Sequence, residues 1–244
     1  MKKIILLLLL STSFNSFSQD TDEPVQIRFD LPSNGSIDDA DRTRIFTAKG
    51  SPYIKETYQQ GFVVNGKNKT AALLRYNAYY DRFQFLDENN KKTFVLKSPN
   101  IKIELDGKTY ELLTYKITVQ DKALYYLPEG ENEKTNKNNR EGYFSSLTEG
   151  KTMLYTKTSK RLPKFQLPEN GYDQFEPTEL RTLVQYYLKR KNRPATRIRL
   201  SKKEVLFALN DKYDELRSYI KENKLKVKSE EEVIQIISYY DTLN

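Results

Sequence analysis

The chain has 244 residues and a formal charge of +8, from 41 Lys and Arg against 33 Asp and Glu, and it contains neither His nor Cys. Those two absences remove disulfides, thiolate nucleophiles, Cys-based zinc or iron–sulfur sites, Ser-His-Asp and Cys-His pairs, and His-ligated transition metals. Carboxylate-pair catalysis, Ser-Lys chemistry, Tyr or Lys acid–base work and oxygen-ligated calcium or magnesium survive.

Lys2 and Lys3, the apolar run Ile4 to Leu10, and Ser16-Phe17-Ser18 before Gln19-Asp20 have the three-part layout of an export signal. The run is too short to span a bilayer, so residues 1–18 are expected to be cleaved between Ser18 and Gln19. The product is expected in the periplasm or outside the cell. Without a cysteine at the cleavage site it cannot become a lipoprotein, and no later run is apolar enough to span as a helix.

From residue 19 to about 45, Pro24, Pro32, Asn34-Gly35 and a series of acids with little apolar periodicity predict an extended N-terminal arm. Gly50-Ser51-Pro52 opens the folded part. Asn65-Gly66 and Asp106-Gly107 are hairpin turns, the second flanked by Ile101, Ile103, Leu105 and Tyr110, Leu112 in alternation. Ala71 to Asn77, Arg82 to Leu86 and Thr93 to Lys97 have strand length and composition, and such short connections force antiparallel pairing. Glu129 to Gly142 reads as a polar loop, Tyr143 to Leu147 and Lys151 to Thr158 as a hairpin, and Lys160 to Pro177 as too broken for a long element.

Leu183 to Lys189 and Ala195 to Leu200 read as a further hairpin, with a helix over Thr178 to Lys189 as the alternative. As strands, Val184, Tyr186 and Leu188 share a face with Thr196, Ile198 and Leu200, leaving Gln185, Tyr187, Lys189, Arg197 and Arg199 for the other. The last 44 residues turn helical. Ser201-x-x-Glu204 and Ser229-x-x-Glu232 are capping boxes, and the apolar spacing predicts about three short amphipathic helices. The fold class expected is α+β: an antiparallel, meander-like sheet over residues 46–200, then a helical segment over 201–244.

The order of segments resembles a family of uncharacterised secreted bacterial proteins. The matching stretches are Gly50-Ser51-Pro52-Tyr53, Leu74-Arg75-Tyr76-Asn77 with Tyr79 and Asp81, Gly142-Tyr143-Phe144 with Glu149-Gly150-Lys151, and Tyr219 to Leu225 with Tyr239-Tyr240. The resemblance implies no activity and carries over no functional residue.

The charge is unevenly spread. From Thr178 to Lys203 nine basic residues stand against Glu179 alone, whereas Gln19 to Asp41 is strongly acidic. The basic hairpin is therefore the candidate binding site for an anion or partner, through Tyr187, Lys189, Arg190, Lys191, Arg193, Arg197 and Arg199. Arg offers a planar fork for phosphate or carboxylate and Tyr a stacking face. Outside the cytoplasm the matching anions are lipid headgroups and acidic glycans, and another envelope protein is the third possible partner. The same residues equally read as a solvated edge strand, or as a patch that the acidic arm folds onto.

Nucleic acid is not an expected partner, since the helical tail carries eight basic and nine acidic residues. No cofactor, metal ligand set or catalytic residue is assigned. Ser218-x-x-Lys221 lacks the companion motifs of serine–lysine enzymes, and Asp38, Asp39 and Asp41 lack the spacing of a calcium loop. Asp81, Asp173 and Glu176 lie near aromatics and could serve a carbohydrate-active enzyme, although Asp81 also suits a turn. The aromatic clusters, Tyr76 with Tyr79, Tyr80, Phe83 and Phe85, read as sheet core. The favoured expectation is a non-enzymatic exported binding protein; a paired-carboxylate glycosidase and an inert structural subunit of an envelope assembly are the alternatives.

Overall fold

The computed structural model describes residues 26–30, 43–126, 139–164, 178–190 and 193–243. Gln26–Asp30 (β1) and Thr43–Thr47 (β2) form a two-stranded antiparallel pair with Ile27 opposite Phe46. Part of the expected extended arm is thus paired strand. Its alternation at Ile27 and Phe29 is only two residues deep and is masked in sequence by the flanking acids.

The rest of the β structure is one antiparallel sheet of eleven strands. Its strands are β3 (Gln59–Asn65), β4 (Asn68–Asn77), β5 (Arg82–Leu86), β6 (Lys92–Phe94), β7 (Ile101–Leu105), β8 (Lys108–Lys116), β9 (Tyr125–Tyr126), β10 (Asn139–Ser146), β11 (Thr152–Pro163), β12 (Arg181–Arg190) and β13 (Thr196–Ile198). The spatial order is β6-β5-β4-β3-β7-β8-β10-β11-β12-β13, with β9 beside β11. It departs from a plain meander twice: after β6 the chain doubles back to lay β7 against the free edge of β3, and β9 pairs with β11 while β10 takes the place beside β8. The Asp106-Gly107 loop takes φ of +55° and +70°, as a two-residue hairpin turn between Leu105 and Lys108 requires.

The sheet is rolled. Four strands lie between β4 and β11, so a flat sheet would hold them roughly 24 Å apart. Instead the Lys160 amide donates to the Ala78 carbonyl at 3.0 Å. The roll encloses Leu74, Tyr76, Phe83, Ile103, Leu112 and Tyr143, with Tyr76 stacked on Phe83 at 4.6 Å and Phe83 edge-on to Tyr143 at 4.9 Å.

Helices α2 (Lys202–Ala208), α3 (Tyr213–Glu222) and α4 (Glu230–Thr242) cover the far end of the sheet, burying Leu206, Leu209, Leu216, Ile220 and Ile236 against Leu154, Leu188 and Ile198. Each fully buried aliphatic side chain contributes about 1.5–3 kcal/mol, which is what holds helices this short. Ser201 and Ser229 accept from the Glu204 and Glu232 amides as N-caps. The glutamates reach past the caps, to the amides of Arg199 and of Lys226 and Lys228, so they fasten the entering loops.

β10 begins at Asn139, inside the stretch 129–142 expected as a loop, because its first residues pair with β8, and a short helix also stands where none was expected. Val119–Leu124 is a short helix (α1) with a reciprocal capping box between Thr118 and Asp121. Thr-x-x-Asp is the signal that marks it in sequence.

Candidate functional site

The basic hairpin forms as strands: Tyr186 pairs with Ile198, Tyr187 with Arg197 and Leu188 with Thr196. The partition of residues between faces is the expected one, but the face carrying Gln185 and Tyr187 does not look out to solvent. Tyr187 is 2% exposed, with ring centroids of Phe144 at 4.9 Å and Tyr115 at 5.9 Å, and burial pushes its hydroxyl pKa up. Gln185 is buried too. The strand sits inside the sheet, between β11 and β13, where its neighbours supply an aromatic layer.

The cations divide. Arg197 meets the Asp121 carboxylate of α1 at 3.2 and 3.3 Å, and its guanidinium nitrogens stand 3.0 and 3.1 Å from the Gln185 amide oxygen once that amide is turned to face them. Arg190 is on the helix side, where it pairs with Asp211 and donates to the Tyr240 hydroxyl at 2.9 Å, while Tyr240 donates to Asp211 at 2.7 Å. Desolvation works against the Arg190 charge, but the hydrogen bonds to Tyr240 and Asp211 outweigh it and raise its pKa. Lys189 is partly buried, and Lys191 lies outside the described residues. Arg193 and Arg199 are exposed, with the Arg199 side chain 80% accessible and 3.8 Å from Glu204.

What remains in solvent is a strip rather than a hairpin face. Arg199 leads into α2, whose Lys202 and Lys203 are exposed, and Phe207, one helical turn after Lys203, is 80% exposed. Val205, Leu206 and Leu209 face the core. The position of Phe207 off that stripe is readable from helical periodicity.

A second constellation gathers around Asp81. Asn77 caps the β4–β5 turn by accepting from the Tyr79 and Tyr80 amides, and Asp81 closes it at φ +58°. That turn wedges between β10 and β11, which pair at only two positions, Ser145 with Thr156 and Ser146 with Tyr155. Beyond them the main-chain groups of Tyr143 lose a strand partner. Asp81 Oδ1 accepts from its N–H at 3.2 Å and Lys157 Nζ donates to its carbonyl at 3.3 Å.

Asp81 Oδ2 lies 2.7 Å from Lys157 Nζ, and the Tyr76 hydroxyl donates to Oδ1 at 2.5 Å. Desolvation alone would raise the Asp81 pKa; the adjacent Lys157 ammonium wins and holds it below the usual carboxylate value. A Cβ on Gly142 would stand 2.5 Å from Nζ, so any larger residue there would push the pair aside.

The other acids weighed for chemistry, Asp173 and Glu176, and the triplet Asp38, Asp39 and Asp41, lie outside the described residues. Ser218 and Lys221 are both exposed on α3. Among the described residues no three His, Cys, Asp or Glu side chains converge to hold a metal ion. A shallow groove of about 270 Å³ runs past Gln60, Phe62, Glu104, Asp106 and Lys108, away from the basic strip. No helix among the described residues is long and apolar enough to cross a membrane, which leaves strands unaddressed.

No family model matches the chain, and no curated protein and no solved structure matches it either. The reading of function therefore rests on its own residues.

Proposed function

We propose that this is an exported, non-enzymatic envelope or extracellular protein that docks on an anionic surface through Arg199, Lys202, Lys203 and Phe207. The observation that carries the reading is Phe207, 80% exposed one turn from Lys203 on a helix that buries its Val205 and Leu206. An aromatic held out among cations suits a headgroup layer, where the ring enters the acyl boundary and each lysine adds about 1 kcal/mol against anionic lipid. This narrows the binding surface from the whole basic hairpin to its exit into α2. Asp81 already accepts from Tyr76, Tyr143 and Lys157, which weighs against its serving as a glycosidase acid.

Co-sedimentation with vesicles tests it. Binding is expected to vesicles containing phosphatidylglycerol and not to purely zwitterionic ones, and to weaken as salt is raised. Lys202→Glu with Lys203→Glu should weaken binding by at least about thirtyfold, and separately Phe207→Ala by about tenfold. Equal binding to both vesicle types, or variants that bind like the parent, would overturn the proposal.

A further inference from the structure

Lys157 and Asp81, 76 positions apart, are held at 2.7 Å in an enclosed place. Lys157 is 1% exposed and the Asp81 side chain 17%. The rings of Phe144 and Tyr115 stand 4.9 and 5.0 Å from Nζ, and the Gly142 backbone closes the other side. The two carboxylate oxygens are served differently. Oδ1 is gripped by two fixed donors, the Tyr76 hydroxyl at 2.5 Å and the Tyr143 amide at 3.2 Å, while Oδ2 faces the amine. Two donors on one oxygen are what stabilises the oxyanion of acyl transfer, and an amine fixed against the other oxygen in a water-poor site has its approach entropy already removed.

We propose that Lys157 and Asp81 condense in the folded protein to an intramolecular amide, joining the β4–β5 turn covalently to β11. The ion pair is the resting state. Nζ passes one proton to Oδ2, giving a neutral amine and acid, an uphill step from the ion pair whose cost is lowered by the scarcity of water around the two charges. The amine lone pair attacks Cγ, and the carbonyl electrons move to Oδ1 beneath the Tyr76 and Tyr143 donors. Nζ gives a second proton to Oδ2, the Cγ–Oδ2 bond breaks, water leaves and Oδ1 regains its double bond. Carboxylate and ammonium become one amide and one water, with no oxidant or cofactor. The product keeps its partners: the amide N–H retains the Tyr143 carbonyl at hand, and its oxygen retains the Tyr76 hydroxyl. In a chain without cysteine, the bond closes a loop that no disulfide can.

Intact-mass spectrometry of the folded full chain, denatured only for measurement, tests this. The expected mass falls short of that calculated for the purified polypeptide, with its N-terminus determined, by one water, and proteolysis yields a branched peptide joining Asp81 to Lys157. Asp81→Asn should lose ammonia instead. Lys157→Met should show the full sequence mass and a Tm lower by roughly 10 °C. Tyr76→Phe keeps the ring against Phe83 and should slow the mass loss at least tenfold. A cooperatively folded parent that keeps its full mass after days of incubation overturns the proposal. So does a water loss that persists in Lys157→Met, which would belong elsewhere, for example to a succinimide at Asp106-Gly107. A Tyr76→Phe rate equal to the parent's would overturn the oxyanion assignment.

Discussion

Arg197 on β13 and Asp121 on α1 lie 3.2 Å apart, so one cation of the basic hairpin is paired to the helix beside the sheet edge. The contact joins the edge of the sheet to that short helix, and it consumes one of the cations that the sequence assigns to binding. The Asp121 side chain is 16% exposed and the Arg197 side chain 37%, so the pair is partly screened.

Asp121→Asn keeps a capping oxygen for Thr118 and releases Arg197. Denaturant unfolding should show a loss below about 1 kcal/mol. If the anionic-surface reading holds, binding to phosphatidylglycerol vesicles should rise two- to fivefold, on the order of 0.5–1 kcal/mol.

Gly142 and Gly66 separate two reasons for a glycine. A Cβ at Gly142 would collide with Lys157 Nζ and the Asp81 carboxylate, so Gly142→Ala should cost about 1–3 kcal/mol by forcing the pair apart. Gly66 has open space around it but sits at φ +60°, so Gly66→Ala should cost only about 1 kcal/mol. Thermal unfolding reads both, at about 2–4 °C per kcal/mol for a chain of this size.

Arg190, Asp211 and Tyr240 form one unit that pins the end of β12 to the helices. Tyr240→Phe should cost about 1 kcal/mol and Arg190→Met about 1–2 kcal/mol. Their double variant should lose less than the sum, by at least about 0.5 kcal/mol, because the two side chains share a partner. A strictly additive cycle would mean the three groups act independently.

The buried tyrosines shape the alkaline limb of stability. Desolvation pushes Tyr79, Tyr110 and Tyr186 from 10.0 up to about 12, and raises Tyr76, Tyr143, Tyr155 and Tyr187 as well. A folded pKa above the unfolded one means the native state binds more protons in the interval between them. The stabilisation is complete below the unfolded value near 10 and is lost as pH rises through 12. Tyrosinate absorbance should therefore show these groups silent at pH 10.5 in the folded protein, and the denaturant midpoint should fall steeply between pH 10 and 12.

The local elements were legible because their signals are local. Asp106-Gly107 sets a two-residue turn, Ser201 and Ser229 start helices, and the alternation through Tyr186, Tyr187 and Leu188 assigns each side chain to the correct side of its strand. The α+β layout, with sheet before helices, follows from those same patterns. The order of strands does not, since nothing in the β6–β7 connection says that β7 returns to the edge of β3.

Alternation tells which residues share a face and is silent on what lies over it. Sequence alone determined a chain barred from imidazole and thiol chemistry, built of antiparallel hairpins and short capped helices, with its positive charge concentrated between Thr178 and Lys203. Only the tertiary structure decided that Tyr187 is buried, that Arg190 and Arg197 are spent on Asp211 and Asp121, and that Asp81 meets Lys157. Burial and charge pairing are set by residues 20 to 80 positions away, and those are brought together by the roll of the sheet, which no local periodicity encodes.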